Sequence, residues 1–421
     1  MTECLCIFED EGFHNLLPLS YFRPVYDLRC GIMSLREKIE RLYGFRHPAL
    51  HSRNYLTSSL RERNPSLNIN ELRGTSCLFV NGRVLADAPL RKNIPPAGKD
   101  VLYLTGDTVI AARVSGTALE RIAGHMPEVF TPDIFDGLTR EAVEVSLISY
   151  PWHLVQANGS QIEADVKVLA RTSKQRAAKG KIYTGAHLIN KKDIVIGKNS
   201  RVKPGTVLDA EEGPIYIGND VTIFPNATVE GPAFIGEGSF IKAGAKIYGS
   251  TSIGPMCKVG GEVEGTIIHA YANKQHDGFL GHAYLGMWVN LGADTNNSDL
   301  KNNYGNVKVT IDGNTVDSHS MFVGLTMGDH SKSAINTMFN TGTVVGVSSN
   351  VFGAGFPSKT IPSFTWGGAD ALEVYDIEKS LGVARKVMAR RKWEMTPADE
   401  QLFRQIFELT RPERMKGGLK G

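Results

Sequence analysis

Aliphatic side chains recur every six residues through the middle of the chain, at Ile217, Ile223, Val229, Ile235, Ile241, Ile247, Ile253 and Val259. Four places after each of the first seven stands a small or β-branched residue: Val221, Ala227, Ala233, Ser239, Ala245, Thr251 and Cys257. A period of six suits neither an amphipathic helix nor a hairpin meander. It fits a parallel β-helix, in which each hexad is one short flat strand and three hexads make a triangular coil. The aliphatic residue then points into the prism, and the small one sits inward near a corner. Gly218, Gly236, Gly254 and Gly260, with Asn219, Asp220 and Pro225, supply turn chemistry between faces. A single coil cannot bury its own interior, so stability requires stacking.

The period extends in both directions. Ile196, Val202 and Leu208 hold it upstream, before an excess of three residues near Glu211 to Gly213 shifts the phase. Leu285 and Leu291 resume it downstream, and Met327, Ser333, Phe339, Val345 and Val351 carry it on. The lapses at roughly 260–284 and 292–326 predict loops thrown out of the solenoid, where function concentrates.

The flanks follow other patterns. Residues 1–8 read as an edge-forming first strand, and Leu28 to Tyr43 has helical spacing, with Leu35, Ile39 and Leu42 on one face. Further strands are expected at Cys77–Asn81, Val101–Leu104 and Val109–Arg113, so an α/β sheet domain is predicted over 1–155. It has too few strands for a full doubly wound nucleotide-binding domain. A polar connector is expected over 156–190, with a Lys/Arg-rich patch from Lys167 to Lys181 that reads as solvated surface or an anion contact. The β-helix is expected over 191–370. Beyond it, Tyr375–Arg391 and Pro397–Leu409 read as helices, the second capped by Thr396, before a disordered tail from Lys416.

Composition changes this picture little. The 421 residues are 42% hydrophobic and 22% charged, ordinary for a soluble protein of two or three domains. A net charge of +3 is too small to argue for nucleic acid or an anionic membrane as partner. The five cysteines form no CxxC pair, and Cys4 and Cys6 read as buried thiols, which suits a reducing compartment. With no run of 18 apolar residues and no signal-peptide pattern, the expected location is the cytoplasm.

Candidate chemistry gathers in the first lapse and just after it. His276 lies in the polar stretch Asn273–Gly281, followed by Asn290 and by Asn296, Asn297, Asn302 and Asn303, with Lys301 and Tyr304 among them. Asparagines can instead form ladders along a β-helix, and a histidine in a polar loop is more often inert. A base, cations and amide donors within thirty residues nevertheless point to a site. His276 with His282, or His319 with His330, lack neighbouring cysteines or carboxylates at ligand spacing, so no metal site is expected. Gly328–Ser333 lacks the residue order of a phosphate loop.

Hexads followed by His276-Asp-Gly-Phe279-Leu-Gly281 and Val289-Asn290-Leu-Gly-Ala293 resemble the acetyltransferase half of bifunctional UDP-N-acetylglucosamine pyrophosphorylase/glucosamine-1-phosphate N-acetyltransferases. The resemblance is nearer to an alternative bacterial branch, through Asn15–Leu19, Arg23–Val25, Glu37–Lys38, Thr295–Tyr304, Met327–Lys332 and Trp366–Gly368. It implies a reduced nucleotidyltransferase-like α/β domain, a left-handed parallel β-helix of hexapeptide repeats, a short C-terminal helical segment and a homotrimer sharing grooves between prisms. Off-phase Phe224, Phe234, Tyr248 and Trp288 are candidates to face a neighbour in that trimer. The resemblance further implies acetyl-CoA as cosubstrate, and UTP with Mg²⁺ for the N-terminal domain. His276 matches the family's general base, the side chain best suited to taking a proton from an amine near neutral pH. Asn290 matches a contact to the sugar phosphate. Phe279 stands where the family has tyrosine, and the family's lysine before the histidine has only shifted candidates, Lys258 and Lys274. Asn296, Asn297, Lys301 and Tyr304 complete the expected sugar-phosphate and acyl-CoA contacts.

The N-terminal half departs further from the pattern. Where nucleotidyltransferases carry a Gly-rich phosphate loop, this chain reads Glu9-Asp-Glu-Gly-Phe-His14, and Asn81-Gly82-Arg83 replaces the Mg²⁺-binding acid. Arg23, Arg29 and Lys38 are the remaining candidates for nucleotide phosphates, solvated surface being an equal reading for each. Two other readings stand beside acyl transfer. One is a sugar-1-phosphate nucleotidyltransferase whose β-helix serves oligomerisation or regulation; the other is a non-catalytic scaffold solenoid.

Overall fold

In the computed structural model, which describes residues 3–172 and 180–419, the hexads build a left-handed β-helix with three flat faces. The first face stacks Lys181–Ile182, Arg201–Val202, Thr222–Ile223, Phe240–Ile241, Lys258–Val259 and Asn273–Lys274. The second stacks His187–Ile189, Val207–Asp209, Thr228–Glu230, Lys246–Ile247, Glu262–Glu264 and Phe279–Gly281. The third runs on for nine strands, from Ile194–Ile196 to Thr360–Ile361. Every neighbour within these three stacks is parallel, and the inward residues lie directly over one another, as in Ile223 over Ile241 over Val259. The aliphatic hexad positions and the small residues four later are almost fully buried, as the period predicts.

The lapses have different causes. In the fifth coil the corner between first and second faces shortens to Gly260-Gly261, so that Val259 and Val263 are the successive inward residues. The second lapse is a true excursion. Between Asn297 and Leu325 the chain leaves the prism and forms an antiparallel hairpin, Lys308–Ile311 with Asn314–Asp317. The apolar side of that hairpin packs on Trp152, Val323 and Val344.

The N-terminal domain is built on a seven-stranded sheet. Its strands are β1 (Cys4–Phe8), β4 (Ala49–Leu50), β5 (Asn68–Ile69), β6 (Ser76–Asn81), β7 (Val101–Thr105), β8 (Thr108–Ser115) and β9 (Thr139–Ala142), ordered β5-β4-β1-β6-β8-β7-β9. The first strand is therefore central, paired in parallel with β4 and β6, and not at an edge. Its Leu5, Cys6, Ile7 and Phe8 are buried, as a continuous apolar run in a parallel sheet should be. Helical spacing over 28–43 overstates the helix. Arg29–Cys30 and Met33–Ser34 pair first as a small hairpin, β2 and β3, and α1 (Leu35–Tyr43) begins only after it. Gly31, at φ +82°, turns the hairpin, and Ser34 then caps α1 with Glu37 in a reciprocal capping box.

The stretch expected as a polar connector opens with a 22-residue helix, α5 (Pro151–Thr172). The centre of the basic patch, residues 173–179, lies outside the described residues. Polar residues of α5 are used inward. The Asn158 side chain accepts from Gly31 N–H at 2.7 Å and donates to the Ser250 carbonyl at 2.7 Å. Asp165 accepts from the Ile32 and Met33 N–H groups, at 2.8 and 3.1 Å, and pairs with Lys38. A side chain at position 31 would meet Asp165 at 2.6 Å, so glycine is needed for space as well as for φ. Helix and hairpin together cover the third face of the prism, where Phe234 packs on Ile32 and Ile162.

Helices α6 (Ile377–Ala389), α7 (Pro397–Leu409) and α8 (Arg411–Lys416) return to the N-terminal domain. Leu381, Leu402, Phe403 and Ile406 share one core with Tyr21, Phe22 and Ile39. Asp399 meets Arg63 at 2.7 Å, and Glu413 bonds Tyr21. The expected tail is helical to Lys416, while residues 420–421 lie outside the described residues. Among the described residues no helix is long and apolar enough to cross a membrane.

Candidate active site

The corner joining the first and second faces in the sixth coil carries Gln275-His276-Asp277-Gly278. His276 and Asp277 are exposed, and the His276 ring makes no hydrogen bond among the described residues. The corner is anchored from outside by its neighbours: Asp294 N–H donates to the Asp277 carbonyl at 3.1 Å, and Leu291 N–H to the Asn273 carbonyl at 2.9 Å. Phe279 begins the next strand, half-buried, and its N–H donates to Asn296 Oδ1 at 2.8 Å. His276, Phe279 and Asn296 thus share one edge of the prism.

Asn290 lies on the first face, one coil further on. Its Oδ1 accepts from Asn273 at 3.3 Å, and Asn273 in turn accepts from Arg391 Nη2 at 2.7 Å. Arg391 also donates to the Met256 carbonyl at 3.2 Å, so the end of α6 is tied to this face. Nothing in the C-terminal sequence signalled that role. Lys258, on the same face, has its pKa lowered by partial burial and by the nearby charges of Arg391, Arg390 and Lys242. A cluster of cations therefore borders the Asn273–Asn290 pair.

Two residues expected to meet substrate point elsewhere. Lys274 occupies the inward column, directly over Leu291, and is 2% exposed. Asn297 is also inward, exchanging bonds of 2.9 Å each with Gly281 N–H and C=O. Lys301 and Tyr304 lie in the excursion: Lys301 bonds the Asn306 carbonyl, and Tyr304 is exposed, with no described contact to the His276 corner. His282 is not paired with His276; its Nδ1 lies 2.8 Å from Asp299 and its ring lies against Phe322. His330 is buried among Phe22, Trp288 and Phe403, which pushes its pKa well down, and it does not meet His319. Trp288 likewise stacks within the chain, on Tyr271 at 4.4 Å. Of the four off-phase aromatics, Phe234 and Trp288 are therefore covered internally, leaving Phe224 and Tyr248 half-buried on uncovered faces.

The N-terminal strand ends are filled. Ligands of open parallel sheets bind beyond the carboxyl ends of the strands, here Glu9-Asp10, His51–Arg53 and Asn81–Arg83. All of these are buried. Arg53 spans Glu9 with bonds of 3.1 and 3.2 Å and also donates to the Ser20 and Arg23 carbonyls. Arg83 takes both oxygens of Asp10, at 2.7 and 2.6 Å, and Asn81 adds a bond of 2.9 Å. A Cβ at Gly12 would lie 2.2 Å from the Arg83 guanidinium, so the place of a phosphate loop is occupied by arginine. These carboxylates are matched to guanidinium groups and do not suit Mg²⁺. No group of three His, Cys, Asp or Glu that could hold a metal ion occurs among the described residues.

Of the three basic residues expected at nucleotide phosphates, two are committed to carboxylates. Arg23, 4% exposed, is bidentate to Asp329 of the β-helix, with one bond of 2.9 Å, and Lys38 pairs with Asp165. Arg29 lies over Phe234, and its Nε has no partner among the described residues. It borders a groove of about 460 Å³ with Glu37, Glu237 and Tyr271.

The fold is a nucleotidyltransferase-like α/β domain followed by a hexapeptide-repeat β-helix, an arrangement similar to that of the bifunctional GlmU-type proteins. Residues 5–174 match the sugar nucleotidyl transferase family model. The chain is 31% identical over 130 residues to the bifunctional protein GlmU of Synechococcus sp. (strain CC9311), covering 30% of this chain and 27% of that protein. Against the GlmU of Acidithiobacillus ferrooxidans (strain ATCC 53993) it is 37% identical over 105 residues, 24% of this chain and 22% of the relative. Against that of Synechococcus elongatus (strain ATCC 33912) the figures are 25% over 213 residues, 46% and 43%. The chain thus spans less than half the length of the curated relatives it matches. A solved UDP-N-acetylglucosamine acyltransferase of Francisella novicida covers 56% of this chain and 78% of its own, at 16% identity and a TM-score of 0.31, too loose a likeness to carry an argument.

Proposed function

We propose that the chain transfers an acetyl group from acetyl-CoA to the amine of an amino-sugar phosphate, glucosamine 1-phosphate being the first candidate, with His276 as general base. The observation that carries this reading is the placement of His276: exposed on an anchored corner, beside Phe279 and Asn296, at the edge between the first and second faces. The imidazole takes a proton from the substrate ammonium. The freed nitrogen lone pair attacks the thioester carbon, the C–N bond forms, the C–S bond breaks, and coenzyme A leaves as its thiol. Lys242, Lys258 and Arg390 suit the phosphates of the coenzyme, and Asn290 the sugar phosphate. Asn296, Lys301 and Tyr304 remain contacts proposed for the bound substrates. Thiol release from acetyl-CoA, measured against a panel of amino-sugar phosphates, tests the reaction. No release with any of them would leave the nucleotidyltransferase and scaffold readings in its place.

For the N-terminal domain the proposal is nucleotide binding with weak turnover, because the strand-end cleft is closed by its own ion pairs. Pyrophosphate release from UTP and N-acetylglucosamine 1-phosphate should be slow with or without Mg²⁺. Brisk, Mg²⁺-dependent release would show that Arg53 and Arg83 swing clear.

Assembly as a homotrimer is proposed from charge. Outward positions of the first face include Lys181, Arg201, Lys203, Lys242 and Lys258, and those of the second include Asp209, Glu230, Glu262 and Glu264, of which Glu262 pairs with Lys246 of its own face at 3.2 Å. The third face is covered by the chain's own α5 and hairpin. A basic face on one copy meeting an acidic face on the next is a heterologous contact, which can close into a ring; three copies is the number the resemblance implies. Light scattering should give a mass near three times 46.0 kDa. The mass should fall in about 1 M salt, where the Debye length shrinks to roughly 3 Å. A fully active monomer would defeat the shared groove.

A further inference from the structure

Among the inward residues of the first face, one is a cation. Val202, Ile223, Ile241 and Val259 precede it and Leu291 follows, yet the sixth coil places Lys274 in this column, 2% exposed. An ammonium inside an aliphatic prism is costly unless its donors are met. Here the side chain runs along the interior to the corner, where Nζ donates to the main-chain carbonyls of His276 at 2.7 Å and Asp277 at 3.4 Å. Room for it comes from the coil before. Because that corner shortens to Gly260-Gly261, the space taken by turn residues elsewhere is open. A Cβ on Gly261 would stand 2.8 Å from Nζ and 2.7 Å from the His276 carbonyl. Two departures from the hexad rule, a shortened corner and a lysine in an aliphatic position, thus fit each other and converge on one exposed loop.

We infer that Lys274 is a positioning residue, which holds the main chain of the His276 corner from inside the prism and so fixes where the imidazole stands. This rests on His276 being the base. Lys274 itself does not touch substrate; its donors are directed at the loop. The charged groups facing it are Asp277 on the same corner and Asp294 on the next, while burial pulls its pKa down to about 8. The clamp therefore loosens as pH rises past that value and the ammonium loses its proton.

Lys274→Met is the informative variant, since methionine fits a column of Val259 and Leu291. Expected is a fall in kcat of roughly 10- to 100-fold from a displaced base, with KM for both substrates changed by less than about threefold, the signature of an interaction that matters in the transition state. The decline of kcat above about pH 8 should disappear in the variant. Amide hydrogen exchange across 275–278 should quicken, and it reports on the clamp without any assay of turnover. His276→Ala is measured alongside. If that variant is fully active, the base is misassigned, and exchange alone still tests the clamp. If His276→Ala is dead while Lys274→Met keeps wild-type kcat, pH profile and exchange, the positioning role is wrong.

Discussion

Replacing His276 with alanine is expected to lower the proposed acyl transfer by about 10²- to 10⁴-fold, the usual cost of losing a general base, with the fold retained. The separation of the two effects follows from placement. The ring is exposed and bonded to nothing described, whereas the corner is held by main-chain bonds from Asp294 and by Lys274, none of which involves the imidazole. Thiol release with acetyl-CoA and glucosamine 1-phosphate gives the rate, and thermal unfolding with scattering mass checks that folding and assembly are intact. Wild-type turnover in the variant would remove His276 from the chemistry.

Arg53→Met is expected to cost about 3–5 kcal/mol, the penalty for stranding one half of a buried ion pair. Glu9 is fully buried, and its carboxylate also accepts from Val25 N–H at 2.9 Å, so it cannot turn to solvent. Arg53 further satisfies the Ser20 and Arg23 carbonyls and lies over the Phe13 ring. Loss of that many partners should lower the thermal midpoint of the N-terminal domain by many degrees. A midpoint within error of wild type would mean that water replaces the guanidinium, and the strand-end cleft would then be less closed than described.

The prism was legible in the sequence because the inward positions repeat the same demand, and six isoleucines and two valines at a spacing of six state it eight times over. Lys274 was hidden by that logic: a lysine beside Gln275 and His276 looks like one more polar loop residue, and only the shortened corner before it makes an inward path. Arg23 was misplaced for a different reason. Its partner Asp329 lies 306 residues away, and no local pattern links them. In α5, Asn158 and Asp165 look like solvent-facing residues of a connector, yet both are used to satisfy the backbone of a hairpin more than a hundred residues earlier. Local period fixes elements well; which polar groups end up buried is decided by where the chain returns.

That return has a cost in time. Tyr21 and Glu413, bonded to each other, are 392 residues apart, and the core around Tyr21 and Phe22 is completed by α7. At ribosomal speeds of about 5–20 residues per second, the first domain, once its sheet is made, waits roughly 13–50 seconds for its last apolar face. During that interval the nascent chain offers a half-built, sticky surface to whatever is near. Chaperone capture, and aggregation of C-terminally truncated chains, are therefore properties written into the topology rather than into any one residue.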